Sequence, residues 1–146
     1  MLLTVLCLTL LAATATSAET FQDVITNIRN TIQGIKSSCF QTEGANESDL
    51  ENILSQGQYS TGRNLKCALK CLYVSTNIIS STGEINEVNM KSKTGTTNVN
   101  IQNAVVANCA GFTNADLCDR VYEISKCTYR TIQNGFSAGL GHDHCE

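Results

Sequence analysis

The sequence contains no proline and no tryptophan, and only two of its 146 residues are histidines. Without proline, nothing in the backbone chemistry forbids long helices. Four phenylalanines and four tyrosines are the only aromatic residues, so the core of a chain this size benefits from covalent support. Both histidines, His142 and His144, lie in the C-terminal tail. These absences predict a helical protein with no histidine in its core.

The position of the histidines also argues against catalysis. A serine or cysteine nucleophile needs a base held within hydrogen-bond reach, and a histidine in a mobile tail does not provide one. Secreted phospholipases are also helical and rich in disulfides, but they need a calcium loop and a helical histidine beside a cysteine. Neither pattern occurs in this sequence. We therefore predict that the protein is not an enzyme and uses no cofactor.

An excess of positive charge is also missing. The formal net charge is -3, and the basic residues are scattered along the chain, so the sequence predicts no nucleic-acid partner. The longest apolar segment, about residues 2–13, is shorter than the roughly 20 residues that span a bilayer. No later segment is a better candidate, and we predict no insertion into a membrane.

The first residues have the pattern of a secretory signal peptide. The stretch MLLTVLCLTLLAATATSA has no charged side chain and ends on the small residues Thr16, Ser17 and Ala18. We predict cleavage between Ala18 and Glu19 and a secreted, extracellular protein. The predicted organisation is a signal peptide at 1–18, one domain at 19–136 and a flexible tail at 137–146.

Apolar periodicity predicts an all-α fold of six helices. The first helix covers residues 21–35, with Thr20 and Asp23 as its N-terminal cap. The second follows a capping box formed by Ser48 and Glu51 and stops at Gly57. The remaining four are expected at about 61–79, around Ile85 to Met90 (a weak helix), from about Ile101 to Cys109, and at about 115–136.

The stretch KCALKC places Cys67 and Cys71 four residues apart on the third predicted helix. Residues at this spacing have Cβ atoms roughly 5–6 Å apart, whereas a disulfide needs about 4 Å. The two thiols should therefore point the same way and find separate partners. A zinc site would require a second ligand pair that the chain lacks, and a redox pair would require C-x-x-C. In a secreted chain, oxidation to disulfides is favoured.

Six cysteines follow the spacing C-x27-C-x3-C-x37-C-x8-C-x8-C, from Cys39 to Cys127. This pattern resembles that of insect odorant-binding proteins, the pheromone- and general-odorant-binding family. The segments KCALKCLY, STGEIN and VVANC are similar to that family as well, and the resemblance covers about residues 19–136. It implies an all-α, six-helix, disulfide-linked bundle that encloses an apolar cavity. It also implies the disulfides Cys39–Cys71, Cys67–Cys118 and Cys109–Cys127.

By the same resemblance, the protein is expected to be a secreted carrier of small hydrophobic ligands such as odorants, pheromones or lipids. A chemosensory receptor is a candidate partner. An alternative on the same scaffold is a salivary, venom or reproductive-fluid protein that sequesters a mediator or binds another protein. Candidate ligand contacts, each of which has ordinary core packing as its alternative, are Tyr73, Ile85, Val88, Met90, Val105, Phe112, Val121, Tyr122 and Ile124.

Two features lie outside this pattern. Asn46 begins the sequon Asn-Glu-Ser, so it is a candidate glycosylation site. Cys145 has no partner among the six cysteines, which leaves a mixed disulfide, a dimer or a free thiol open. It ends the tract His142 to Cys145, but short tracts rarely preorganise a metal site, and we predict none. With both histidines in the tail, ligand affinity should change little between about pH 5 and pH 7.

Overall fold

A computed structural model describes residues 17–138, and over this range the chain is helical apart from turns, loops and one isolated β-bridge. The predicted signal peptide, except for Ser17 and Ala18, and residues 139–146 lie outside the described residues. Seven helices occur in the described part: α1 (Phe21–Ile32), α2 (Lys36–Glu43), α3 (Glu47–Gln56), α4 (Arg63–Ser75), α5 (Glu87–Ser92), α6 (Val99–Cys109) and α7 (Leu117–Ser137).

The first predicted helix is shorter than the expected 21–35, and a helix that was not predicted follows it. Thr20 and Asp23 form the expected capping box at the start of α1. The helix ends at Ile32, and the amide of Ile35 bonds to the Ile32 carbonyl at 3.0 Å, which closes a tight turn through Gly34. A new helix, α2, begins at Lys36. Apolar periodicity does not predict α2, because only Cys39 and Phe40 of its eight residues are buried.

The predicted capping box at Ser48 is wrong. Asn46 is the N-cap of α3, and its side chain accepts a hydrogen bond from the Ser48 amide at 3.0 Å. Asparagine is as good an N-cap as serine, so the helix begins two residues earlier than expected. The predicted stop is confirmed, because Gly57 ends α3 in a left-handed conformation with φ of 66°.

Helix α4 is shorter than the predicted 61–79. It ends at Ser75, and Asn77 adopts a left-handed conformation with φ of 57°. Ile79 then pairs with Ile85 in an isolated antiparallel bridge, with a turn of residues 80–84 between them. The apolar residues after Ser75 therefore pack as a loop, and periodicity alone could not distinguish this from a further helical turn.

Helix α7 is the centre of the fold. It packs mainly against α4 on one side and α6 on another. Two groups of buried side chains result. One lies among α1 to α4 and α7 and includes Phe40, Leu69 and Val121. The other lies among α5, α6 and α7 and includes Ile101 and Ile124.

Three disulfides join four of the helices in series. Cys39–Cys71 links α2 to α4, Cys67–Cys118 links α4 to α7, and Cys109–Cys127 links α6 to α7. This is the pairing that the family resemblance implies. Cys67 and Cys71 bond to different helices, as their spacing on one helix requires.

Over residues 17–138, no helix combines the length and the apolar character that crossing a membrane would need.

Candidate functional site

An apolar cavity of about 100 Å³ lies between α1, α3, α4 and α7. Its walls are mostly aliphatic. Helix α1 contributes Phe21, Ile25, Ile28 and Ile32. Helices α3 and α4 contribute Leu50, Ile53, Leu54, Leu69 and Leu72.

The wall contributed by α7 consists of Ser125, Thr128, Tyr129 and Ile132. Their offsets of three, four and seven residues place them on one helical face. The α1 wall follows the same rule, since Phe21, Ile25, Ile28 and Ile32 trace a stripe. Each helix therefore presents one face to the cavity and uses another for packing elsewhere.

Aromatic rings close one part of the cavity. The ring of Tyr129 meets that of Phe21 edge to face, with centroids 5.5 Å apart. Tyr59 comes from the loop between α3 and α4, and its ring centroid is 6.4 Å from that of Tyr129. Such edge-to-face contacts fix the orientation of the rings, so this wall has a defined shape.

Hydroxyl groups are concentrated beside these rings. The hydroxyls of Tyr59 and Ser125 lie 2.9 Å apart and share a hydrogen bond. Burial raises the pKa of Tyr59 far above its usual value, and it also raises that of Tyr73. The nearby Ser125 and Thr128 hydroxyls oppose the pKa shift of Tyr73. These phenols are therefore protonated, neutral groups at physiological pH.

The rim of the cavity is polar. Thr31 and Lys93 are exposed, and Lys93 is the one charged residue among the described residues that line the cavity. The loop that contains Gly95 is held against α1, because the side-chain amide of Asn27 donates a hydrogen bond to the Gly95 carbonyl at 2.8 Å. Glu19 binds the same loop by accepting hydrogen bonds from the Thr96 hydroxyl and the Thr97 amide.

The structure brings only one of the nine candidate ligand contacts to this cavity, namely Tyr73. Val121 and Tyr122 pack in the core beside α4, and Met90, Val105 and Ile124 pack in the core beside α6. Ile85 and Phe112 are partly buried at the edges of these cores, and Val88 is 76% exposed. These eight residues lie outside the cavity.

The helix face explains why these candidates lie outside the cavity. The sequence-based choice took apolar residues of α7 such as Val121 and Ile124, but those lie on the faces that pack against α4 and α6. The face toward the cavity carries Ser125 and Thr128. The apolar stripe of α1 is visible in the sequence, and it is the one signal that could have located a wall.

Asn46, the candidate glycosylation site, is exposed at the start of α3. Its side-chain oxygen is engaged with the Ser48 amide. An N-linked glycan attaches to the side-chain nitrogen, so a glycan and the helix cap are compatible.

No group of three or more metal-binding side chains comes together within residues 17–138. His142, His144 and Cys145, and the predictions made for them, lie outside the described residues.

Comparisons with known proteins agree with this architecture. The family model described as the PBP/GOBP family matches residues 21–131. The fold is similar to that of the odorant-binding protein dmelOBP28a from Drosophila melanogaster, with a TM-score of 0.61 and 18% sequence identity. That match covers 78% of this chain and 96% of the Drosophila chain. A comparison with curated protein sequences found no significant match.

Proposed function

The chain belongs to the PBP/GOBP family, and on this premise we propose that it is a secreted, non-catalytic carrier of small hydrophobic molecules. Its ligand occupies the cavity between α1, α3, α4 and α7 and crosses aqueous fluid inside the protein. The solved odorant-binding protein of the same fold supports odorants or pheromones as the class of cargo.

The observation that carries this proposal is the apolar cavity itself. Transfer of apolar surface out of water contributes about 25 cal/mol per Å² to binding. A pocket that exists before the ligand arrives reduces the reorganisation that binding requires. An apolar cavity of about 150 Å³ is known to bind benzene. The cavity of about 100 Å³ is smaller than that, so a molecule of benzene size or larger requires the walls to move outward.

The surrounding structure supports stable retention of a ligand. The disulfides hold α2, α4, α6 and α7 together, and α4 and α7 both contribute to the cavity walls. The rim at Thr31, Thr76 and Lys93 provides a polar boundary with solvent. An apolar interior with a polar edge orients an amphipathic molecule with its body inside.

Isothermal titration calorimetry of the oxidised chain from Glu19 to Glu146 tests the proposal. The probes are acetophenone, a fatty alcohol, a terpene and a biogenic amine. We expect saturable binding at one ligand per protein for at least one apolar probe, with a negative heat-capacity change.

Two matched variants locate the site. Ile53 lines the cavity and is 3% exposed, so Ile53→Phe should fill part of the space and weaken binding. Ile85 was a candidate contact from the sequence but lies outside the cavity, so Ile85→Phe should leave affinity unchanged. Circular dichroism establishes that both variants fold. A loss of affinity in Ile85→Phe alone would contradict the proposed site.

Absence of binding across the whole panel, with all three disulfides formed, would overturn the carrier function. The interaction protein on the same scaffold would then be the better hypothesis. Expression in glands rather than in olfactory tissue would point the same way.

A further inference from the structure

The cavity wall around Ser125 contains more hydrogen-bond donors than the protein satisfies. Four hydroxyls meet there, those of Tyr59, Tyr73, Ser125 and Thr128. The one hydrogen bond with good geometry between them joins Tyr59 to Ser125 at 2.9 Å. A shared hydrogen bond uses a single proton, so donors remain for another partner.

Thr128 is the clearest example of a hydroxyl whose hydrogen bonding the protein does not satisfy. Its hydroxyl oxygen is shielded from solvent and makes no hydrogen bond of ordinary geometry with the described residues, although the Tyr73 hydroxyl is near enough to interact with it. Threonines in helices commonly satisfy their hydroxyls by bonding to the carbonyl one turn earlier. Thr76, which lines the same cavity, does so, since its hydroxyl donates to the Leu72 carbonyl at 2.9 Å. Thr128 departs from this pattern, and buried polar groups without partners are rare in proteins.

The part of the cavity wall that carries these four hydroxyls, here called the hydroxyl wall, is electrically neutral. Among the described residues that line the cavity there is no Asp, Glu or His, and Lys93 is at the exposed rim. Burial keeps Tyr59 and Tyr73 protonated. A carboxylate buried here would lose its hydration without gaining a positive partner, which is strongly unfavourable. A neutral oxygen would lose much less and could accept hydrogen bonds.

We propose that Thr128, with Tyr73 and Ser125 beside it, forms a hydrogen-bonding subsite that selects neutral ligands carrying an acceptor oxygen, such as a ketone, aldehyde or ester. The inference rests on the proposed carrier function and names the ligand class. The aliphatic and aromatic walls hold the body of the ligand, and the hydroxyl wall binds its oxygen. A hydrocarbon of the same shape displaces water from these hydroxyls without replacing its hydrogen bonds, so it binds more weakly.

Acetophenone and α-methylstyrene make a direct test, because they differ only in a carbonyl oxygen against a methylene group. Calorimetry with the oxidised mature protein should show acetophenone binding about tenfold tighter or more. Benzoate, which carries a charge on a similar skeleton, should bind more weakly than acetophenone.

Substitution assigns this preference to one residue. Thr128→Val keeps the shape of the side chain and removes the hydroxyl. It should remove most of the preference for acetophenone, because acetophenone loses a hydrogen bond and α-methylstyrene no longer leaves the Thr128 hydroxyl unsatisfied. Thr76→Val is the matched control, because its hydroxyl is already bonded to the backbone, and it should retain the preference of the natural protein. Tyr73→Phe removes a second hydroxyl of the same subsite and should also reduce the preference for acetophenone.

The outcomes separate this inference from the carrier function. Equal affinity for acetophenone and α-methylstyrene, or an unchanged preference in both Thr128→Val and Tyr73→Phe, would overturn the subsite while the carrier function stands. Failure of every neutral probe to bind would overturn the carrier function and the subsite together.

Discussion

Gly57 lies against the ring of Tyr129 so closely that a Cβ atom added to Gly57 would be 2.6 Å from Tyr129 Cε1. The glycine ends α3 in a left-handed conformation, with φ of 66°. Its missing side chain also leaves space for the Tyr129 ring, which forms part of the cavity wall. One residue thus ends a helix and positions a ligand-facing aromatic.

Replacement of Gly57 should therefore be costly. Gly57→Ala combines a left-handed backbone that disfavours alanine with overpacking against the ring, and we expect a loss of about 2–4 kcal/mol in the free energy of unfolding. Urea denaturation measures the loss. Gly34→Ala is the control, because nothing lies within 4 Å of the added atom, and it should be close to neutral. Equal effects of the two substitutions would contradict the packing argument.

Loss of a disulfide should depend on the length of chain that it closes. The Cys67–Cys118 bond spans 51 residues and the Cys109–Cys127 bond spans 18. Chain-entropy arguments give losses of roughly 4 and 3 kcal/mol for removing the two bonds. Paired Cys→Ala substitutions, compared by urea denaturation, should show this order. A larger loss for the shorter loop would mean that packing, rather than entropy, dominates.

Asp116 should make stability sensitive to acid. It caps α7 by accepting from the Asp119 amide at 3.0 Å, and its carboxylate pairs with Arg63 at 2.7 Å. The Arg63 guanidinium, helped by the backbone amide of Asp119, lowers the pKa of Asp116 to about 2. The unfolded chain binds this proton near pH 3.9, so the stabilisation is full above about pH 4 and is lost as pH falls through about 2.

Melting temperatures measured between pH 2 and pH 7 test this prediction. Asp116→Asn keeps an oxygen that can cap α7 but removes the charge, so it should flatten the decline below about pH 4. Arg63→Gln removes the other partner and should flatten it similarly. An acid profile unchanged in both variants would show that other carboxyl groups govern the decline.

Ligand affinity should be nearly constant between about pH 5 and pH 7. No Asp, Glu or His within residues 17–138 lines the cavity, and burial raises the pKa of the lining residues Tyr59, Tyr73 and Tyr129. Calorimetry with acetophenone at both ends of the range is the measurement. A tenfold weaker affinity at the acid end would reveal a titrating group that acts on the cavity from elsewhere in the chain.

Asn46 should carry an N-linked glycan when the protein passes through a eukaryotic secretory pathway. The residue is exposed, and its side-chain nitrogen is not needed for the helix cap. Mass spectrometry before and after enzymatic deglycosylation detects the glycan. Ser48→Ala should abolish it while preserving the cap, because the cap uses the Ser48 backbone amide. If enzymatic deglycosylation leaves the mass of the natural protein unchanged, Asn46 is not a modification site.

Local chemistry in the sequence was enough for much of the helical framework. The Thr20 and Asp23 cap and the Gly57 stop are both where the sequence places them. Each depends on residues within one helical turn, so no tertiary information is needed. The spacing of Cys67 and Cys71 likewise required two separate partners before any fold was known.

Other boundaries depend on competition between neighbouring residues. Asn46 and Ser48 are both good N-caps, and the structure uses Asn46. The apolar stripe from Phe21 to Ile35 continues beyond the end of α1 at Ile32 into the turn before α2. In both places the local preferences differ by little, so packing of the whole chain decides the boundary.

Patterns along the chain were sufficient to predict that this protein is helical and cross-linked and that it resembles a family of carriers. Caps and glycine stops act within one helical turn, and the cysteine spacing can be read directly from the chain. The position of the cavity could not be predicted in this way, nor could the finding that Ser125 and Thr128, rather than Val121 and Ile124, face it. A helix has several faces, and which face meets a cavity depends on how it is rotated against its neighbours. That rotation is set by the contacts of α7 with α4 and α6, between residues far apart in the chain.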